Sequence, residues 1–178
     1  MDTLKLQLAQ FEKRSTTNVN NRNVVVNNLQ PITDEDLQEQ VENLTLDFIL
    51  EGAKGFADFA NSYPFKNRVL CTDRARKKLR YRDEAGEIID DGGGHKLIQR
   101  FFQAIASRNE EIISAEYNVL QQEVEAIAQE GRAHTSDLTG LLSKATKLQD
   151  LLQQCRDAAE GKDNELTQEF IKHYIKIL

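Results

Sequence analysis

The chain has 178 residues, of which 39% are apolar and 29% are charged, and it contains no Trp and one Met. This composition is closer to that of helical interaction proteins than to that of enzymes with deep pockets. The length suffices for one domain, or for a small domain with an extended helical segment, without disulfides or metal. We therefore expect a non-enzymatic protein, and the sequence shows no catalytic residues, no metal site and no cofactor motif.

The two cysteines and the N-terminus bear on the compartment. Cys71 and Cys155 lie far apart and form no CxxC pattern, which disfavours both a disulfide framework and a zinc site. The N-terminus lacks a signal peptide, and no apolar run approaches the roughly 18 residues that are needed to span a bilayer. The sequence therefore predicts a protein without a membrane partner that lies in the cytoplasm, with the nucleus and the interior of a virion as alternatives.

Residues 1–30 form the first predicted unit. Leu4, Leu8 and Phe11 recur at helical spacing, in a stretch that is too short to be a stable helix alone in water. Residues 16–28 are rich in Asn and Val, which indicates a loop or a short strand. Either Asn side chains form ladders between identical chains here, or the segment is a polar linker.

Residues 31–94 form the second predicted unit, a helical segment followed by a β-hairpin. Thr33 is placed as an N-cap before three acidic residues, so a helix should begin there. An apolar stripe at helical spacing then continues as far as Tyr63. Within this stripe, Gly52 and Gly55 either break the helix or allow another helix to approach closely.

The β-structure of this unit is predicted from alternation and turn residues. A strand is expected at 68–72, and the period-two pattern of 78–82 leads through a turn at Gly86 to a returning strand that ends at Asp90. The three glycines 92–94 lack the spacing of a phosphate-binding loop, so we interpret them as a flexible joint.

Positive charge is concentrated in the second unit. Between Lys66 and Arg82 there are eight basic residues and one acid, a local charge of +7 that leaves −13 for the rest of a chain whose net charge is −6. A β-ribbon that carries a row of cations can follow a phosphate backbone, so nucleic acid is one candidate partner. The alternatives are a solvated face and a patch that docks on the acidic part of the same oligomer. The candidate nucleic-acid-binding residues are Arg74, Arg76, Lys77, Lys78, Arg80 and Arg82.

Residues 95–178 carry the strongest pattern, an apolar heptad seam. The earlier half of this seam contains polar members such as Asn109, and its frame shifts by one residue before Val124. The later half steps by three and four residues without a polar member, which is typical of a coiled coil. The later half consists of Leu138, Leu141, Ala145, Leu148, Leu152, Cys155 and Ala159.

Two architectures fit this seam. A continuous helix over 105–159 would form a rod of roughly 83 Å at 1.5 Å per residue, with Asn109 and His134 as buried residues that set the register. A turn at 131–136 would instead give an antiparallel helical hairpin. We favour the hairpin because glycine and helix-capping residues coincide there with the break in the seam. Gly161 should end this region, with a last helix after it.

Four segments carry a resemblance to a known group of proteins, namely 18–28, 63–73, 78–90 and 158–178. They resemble a C-terminal appendage region of proteins from large DNA viruses and some phages, where that region follows modules of the KilA-N or GIY-YIG type. Because only a short stretch precedes the Asn-rich segment here, the resemblance implies an oligomerising or partner-binding unit without the chemical module. It implies a viral protein of the host cytoplasm or the virion interior, and it carries over no catalytic residue.

The fold class is therefore predicted as mainly α with a small β-hairpin, with long helices that form a coiled coil or a helical hairpin bundle. The predicted function is that of a homo-oligomeric structural or scaffold protein whose main partner is another copy of itself. The alternatives are a nucleic-acid-binding regulator that uses the basic cluster and an inhibitor that docks on a host protein. The sequence leaves the oligomer number open. The predicted oligomer interface consists of Leu138, Leu141, Leu148, Leu152, Ile105 and Ile112.

Overall fold

A computed structural model describes residues 28–131 and 135–178 of the protein, with side chains described from residue 138 onward in the second range. The predictions for residues 1–27 and for His134 lie outside the described residues. The predicted class, mainly α with a small β-sheet, is confirmed. The elements in chain order are helices α1 (Asp34–Val41), α2 (Leu46–Leu50) and α3 (Ala53–Ser62), strands β1 (Val69–Asp73), β2 (Lys78–Arg82) and β3 (Ile88–Asp91), a 3₁₀ turn (Gly92–Gly94), and helices α4 (His95–Gln129), α5 (Thr135–Ala159) and α6 (Glu165–Ile177).

The apolar stripe of the second unit folds as three short helices rather than one. At the start of α1, the Thr33 hydroxyl accepts a hydrogen bond from the backbone N–H of Asp36 at 3.2 Å, which is the predicted cap. Gly52 lies between α2 and α3 with a φ of +65°, a backbone conformation that favours glycine, and α2 ends before it. At Gly55, α3 passes so close to α2 that a Cβ would collide with the carbonyl oxygen of Phe48. One glycine therefore breaks the helix, and the other allows the close approach.

The three strands form one antiparallel sheet in the order β1-β2-β3, which confirms the predicted hairpin of β2 and β3. On the central strand, Leu79 and Tyr81 are buried in the core. Lys78, Arg80 and Arg82 alternate with them and therefore lie on the outer face of the sheet. The sheet thus turns one apolar face inward and one cationic face outward.

The glycine-rich segment 92–94 is a packed turn and not the flexible joint that the sequence suggested. Gly94 is buried with a φ of +67°, and a Cβ there would lie 2.8 Å from a side-chain carbon of α6. Just before it, the buried carboxylate of Asp91 accepts hydrogen bonds from the Tyr81 hydroxyl and from the backbone N–H of Leu97, both at 2.9 Å. Negative charge is favourable at a helix N-terminus, so this turn fixes the sheet against the start of α4.

Helices α4 and α5 pack antiparallel, so the architecture is the hairpin and not the rod. The side chain of Gln103 donates a hydrogen bond to the carbonyl oxygen of Ala159 at 2.9 Å, and Arg156 forms an ion pair with Glu110. These contacts join the first half of α4 to the end of α5. Beyond α4, Gly131 has a φ of +62°, the conformation in which many helices end.

One hydrophobic core joins the segments 31–94 and 95–178, which the sequence analysis treated as separate units. Its centre is aromatic: the ring of Phe101 lies 5.1 Å from that of Phe102 and 5.2 Å from that of Phe170. Rings at such distances add to the stability that burial of their area provides. The fully buried aromatic residues are Phe56, Phe59, Phe65, Phe101, Phe102, Phe170 and Tyr174.

Candidate interaction surfaces

Beyond the aromatic core, α4 and α5 continue as a two-helix projection. We call residues 114–131 and 135–154 the arm, and the other described residues the head. The outermost fully packed side chains of the arm are Leu120 and Leu148, each 5% exposed. From Leu120, α4 runs on for about ten residues, or roughly 15 Å at 1.5 Å per residue. The arm therefore carries its apolar side chains away from the rest of the core.

The predicted oligomer interface lies largely between α4 and α5 of one chain. Ile105 is 1% exposed and Leu148 is 5% exposed, so both belong to the core of the single chain. Any contact of the heptad seam with another chain has to use its half-buried members or its edges, and such a contact stays a prediction. The half-buried members are Ile112, Leu138, Leu141 and Leu152.

A polar pair interrupts the seam where the arm meets the head. Asn109 is 1% exposed, and neither polar atom of its side chain has a hydrogen-bond partner among the described residues. The thiol of Cys155 lies beside it. Burial raises the pKa of that thiol to about 12. A buried amide in an apolar seam lowers stability while favouring one register, so Asn109 stands where a register-setting residue is expected.

One side of the arm presents apolar side chains, and none of the described residues that line it is charged. A shallow cavity of about 120 Å³ lies here between α4 and α5. At its edge, the Leu142 side chain is 56% exposed. Because Leu142 follows Leu141 directly, it lies outside the heptad, and the apolar stripe of α5 is wider than a two-helix seam covers. We call this surface the uncharged face; its lining residues are Tyr117, Leu120, Gln121, Val124, Leu141, Leu142 and Ala145.

A larger depression, which we call the groove, lies where the arm meets the turn between α2 and α3. Its volume is about 330 Å³. The floor is apolar because Ile49, Leu120 and Leu148 line it and are at most 5% exposed. The Leu50 side chain stands at the wall and is 59% exposed. The lining residues are Ile49, Leu50, Gly52, Glu116, Leu120, Lys144, Lys147, Leu148 and Leu151.

The rim of the groove carries charge, unlike the uncharged face. Lys144 and Lys147 are exposed and lie about one turn apart on α5. In the part of the chain that the structure describes, neither lysine lies within ion-pair distance of an acid. Glu116 lines the groove from α4. The two lysines therefore form a cationic edge on one side of an apolar depression.

The six candidate nucleic-acid-binding residues separate into two groups of three. Arg74 donates hydrogen bonds to two carbonyl oxygens at the C-terminal end of the chain, at 2.9 and 3.0 Å. Arg80 pairs with a carboxylate of β3 at 2.7 Å, and Arg82 donates to a carbonyl oxygen of the hairpin turn at 2.7 Å. These three cations serve the fold of the head. The other three, in or beside the turn between β1 and β2, are Arg76, Lys77 and Lys78.

Neither a metal site nor a membrane span is found in the described ranges. No three His, Cys, Asp or Glu side chains among those residues lie close enough together to hold a metal ion. Asp90 and Asp91 lie on opposite faces of β3, as neighbouring residues of a strand do: Asp90 pairs with Arg80 on the outer face, and Asp91 is buried. No helix of the described part is long and apolar enough to cross a membrane.

Neither the groove nor the uncharged face was predicted from the sequence. Leu50, Lys144 and Lys147 come from distant parts of the sequence, and only the fold of α4 and α5 back onto the head brings them together. Leu142 did leave a signal, because a leucine directly after the seam residue Leu141 widens the apolar stripe beyond what one partner helix can cover.

Comparisons with known proteins add no relative to this picture: no family model, no curated protein and no solved structure matches the chain. The likeness to viral appendage regions therefore stays a prediction.

Proposed function

We propose that the protein is a non-enzymatic interaction protein that assembles with other copies of itself through the uncharged face of the arm. The observation that carries this proposal is the Leu142 side chain, which is 56% exposed within a surface that has no charged side chain among the described residues lining it. Full burial of a leucine side chain stabilises a protein by about 1.5 to 3 kcal/mol relative to exposure. Contact with a partner at this face would provide part of that stabilisation.

The shape of the arm supports a helical partner. A pair of antiparallel helices covers only one stripe of each helix, and the natural completion is a bundle in which a second pair covers the flanks. Val124 and Ala145 lie on the uncharged face together with Leu142, and both are incompletely buried. Two more helices on this face would turn these residues into the centre of a four-helix bundle.

The absence of charge on this face favours a second copy as the partner. A two-fold contact brings a surface against the same surface of the other chain, so like charges near the axis would repel each other. The residues that line the uncharged face carry no charge and avoid this repulsion, whereas the groove carries Lys144, Lys147 and Glu116. The uncharged face is therefore the better surface for a symmetric contact.

The test is the molar mass in solution, measured by light scattering at two protein concentrations for the full chain and two variants. We expect a mass of at least two chains, and we expect Leu142→Glu to reduce it to that of one chain. Leu50→Glu is the matched control, since Leu50 is equally exposed, at 59%, but lies in the groove. A monomeric full chain, or equal masses for the two variants, would refute the proposal.

A second candidate function is nucleic-acid binding by the turn between β1 and β2. It is favoured by the exposed positions of Arg76, Lys77 and Lys78, which follow one another without an intervening acid. Binding should then weaken steeply with salt and disappear when these three residues are changed to Glu. Failure to bind duplex or single-stranded DNA or RNA at low salt would remove this function. The resemblance implies an oligomerising viral protein, and the same assay on the assembled protein would show whether the oligomer binds nucleic acid.

A further inference from the structure

The groove has the features of a ligand site that the assembly function does not use. Ligand pockets are mostly apolar concavities of several hundred Å³ with a few polar groups that orient the ligand. The groove has a volume of about 330 Å³, an apolar floor and two lysines at one edge. We propose that it binds a single-chain amphiphile with an anionic headgroup.

The floor determines the apolar part of the ligand. Ile49, Leu120 and Leu148 are at most 5% exposed, while the Leu50 side chain beside them is 59% exposed. A ligand that fills the groove would cover the exposed part of Leu50 and the half-buried Leu151 on the facing helix. Such a ligand gains affinity from the apolar surface that it removes from water.

The volume sets the size of the ligand. An apolar cavity of about 150 Å³ accommodates benzene, with six carbon atoms, so a groove of about 330 Å³ suits about a dozen carbon atoms. A helix is about 10 Å in diameter and needs a long trough rather than a depression of this volume. The groove therefore fits one extended alkyl chain of medium length better than a peptide helix.

The rim determines the headgroup. Lys144 and Lys147 project from successive turns of α5, and neither forms an ion pair within the residues that the structure describes. Glu116 lines the groove from α4 and would repel an anion, so the headgroup is expected on the α5 side. An anionic headgroup there would pair with two lysines that have no acidic partner among the described residues.

Calorimetric titration of the full chain with monomeric dodecanoate, below its critical micelle concentration, tests this site. We expect one saturable site per chain. The double variant Lys144→Gln with Lys147→Gln should weaken dodecanoate binding about tenfold, the combined effect of two exposed ion pairs, and leave the binding of uncharged dodecanol unchanged. Leu50→Asn should weaken the binding of both dodecanoate and dodecanol, because it removes apolar surface from the groove.

Lys77→Gln with Lys78→Gln is the matched control, because it removes the same charge from the exposed turn between β1 and β2. Equal losses of dodecanoate affinity in the two lysine double variants would overturn the proposal, since they would report the charge of the whole protein. The absence of saturable dodecanoate binding would overturn it as well. The proposal would also be overturned if the protein bound only anionic vesicles, or only an amphipathic peptide helix with Glu flanks. Either result would show that the groove binds a different kind of ligand. Molar mass should stay unchanged on titration, which separates this test from that of assembly.

Discussion

The head and the arm share the two long helices α4 and α5, yet they bury their apolar side chains to different degrees. On the head part of α4, Phe101 and Ile105 are at most 1% exposed because α1 to α3, the sheet and α6 surround them. On the arm, Val119 is 46% exposed and Leu142 is 56% exposed. The same kind of helix thus completes a core where it has several neighbours and leaves one incomplete where it has a single neighbour.

The largest effect expected from this difference is on unfolding of the head. Phe101→Ala should lower the free energy of unfolding by about 3 to 5 kcal/mol, because it empties the centre of the aromatic core. Leu141→Ala, in the half-buried seam of the arm, should cost clearly less, about 1 to 2 kcal/mol, since less area is lost from the core. Urea unfolding followed by circular dichroism measures both. Equal losses would show that the arm is packed as tightly as the head.

The second prediction concerns alkaline pH at the level where the two regions meet. Burial raises the pKa of the Cys155 thiol from its ordinary 9.0 to about 12. Above about pH 9 the thiol ionises in the unfolded chain but stays neutral in the folded one. The free energy of unfolding is therefore unaffected below about pH 9 and falls by roughly 1.4 kcal/mol per pH unit as the pH rises towards 12. Burial also raises the pKa of Tyr81 and of Tyr174, which act in the same direction at higher pH.

Urea unfolding at pH 8, 9.5 and 10.5 under reducing conditions measures this loss. The Cys155→Ala variant should lose less stability between pH 8 and pH 10.5 than the natural chain, although it starts from a lower value. Identical pH dependence in the two chains would show that Cys155 is accessible to water and that the core does not extend to this level.

The third prediction separates the structural cations of the head from the exposed ones. Arg74→Ala removes two hydrogen bonds to carbonyl oxygens at the end of the chain, one of them at Ile175 in the last turn of α6. We expect a loss of roughly 1 to 2 kcal/mol, since the bonds are charge-assisted but partly exposed. Arg76→Ala, at a side chain that is 77% exposed, should change the stability by less than about 0.5 kcal/mol. A thermal melt of each variant compares them, and a reversed order would contradict the placement of the two groups.

The smallest effect is expected at Asn109. Asn109→Leu replaces a buried amide without hydrogen-bond partners and should stabilise the chain by about 1 kcal/mol. If the amide also sets the register of α4 against α5, the variant should show broader or doubled NMR signals in the arm despite its higher stability. A loss of stability instead would mean that Asn109 has a partner in solution.

Much of the head could be predicted from local pattern. The cap at Thr33, the hairpin around Gly86 and the helix end at Gly161 depend on turn and cap chemistry that a few adjacent residues encode. The packed turn before α4 could not be predicted. Three successive glycines indicate a flexible backbone, and nothing near them in the sequence shows that a strand and a helix pack against Gly94. Its tight packing depends on residues of β2 and α6 that are far away in the sequence.

The surfaces of the arm could be predicted only in part. The heptad spacing located the seam, but it could not decide whether Leu148 faces α4 of its own chain or another copy, because both solutions bury the same stripe. The groove was invisible to sequence reasoning, since Leu50 and Lys147 are about a hundred residues apart. Charge patterns showed the basic cluster but not which of its members pair within the head.

The most direct test of the central claim, that the arm is completed by a second copy, is amide hydrogen exchange of the arm at increasing protein concentration. We predict that protection of residues 117–127 and 138–147 rises with concentration, while protection in the head, around Phe101 and Phe170, stays constant. Arm protection that does not depend on concentration, with the head behaving in the same way, would contradict the claim.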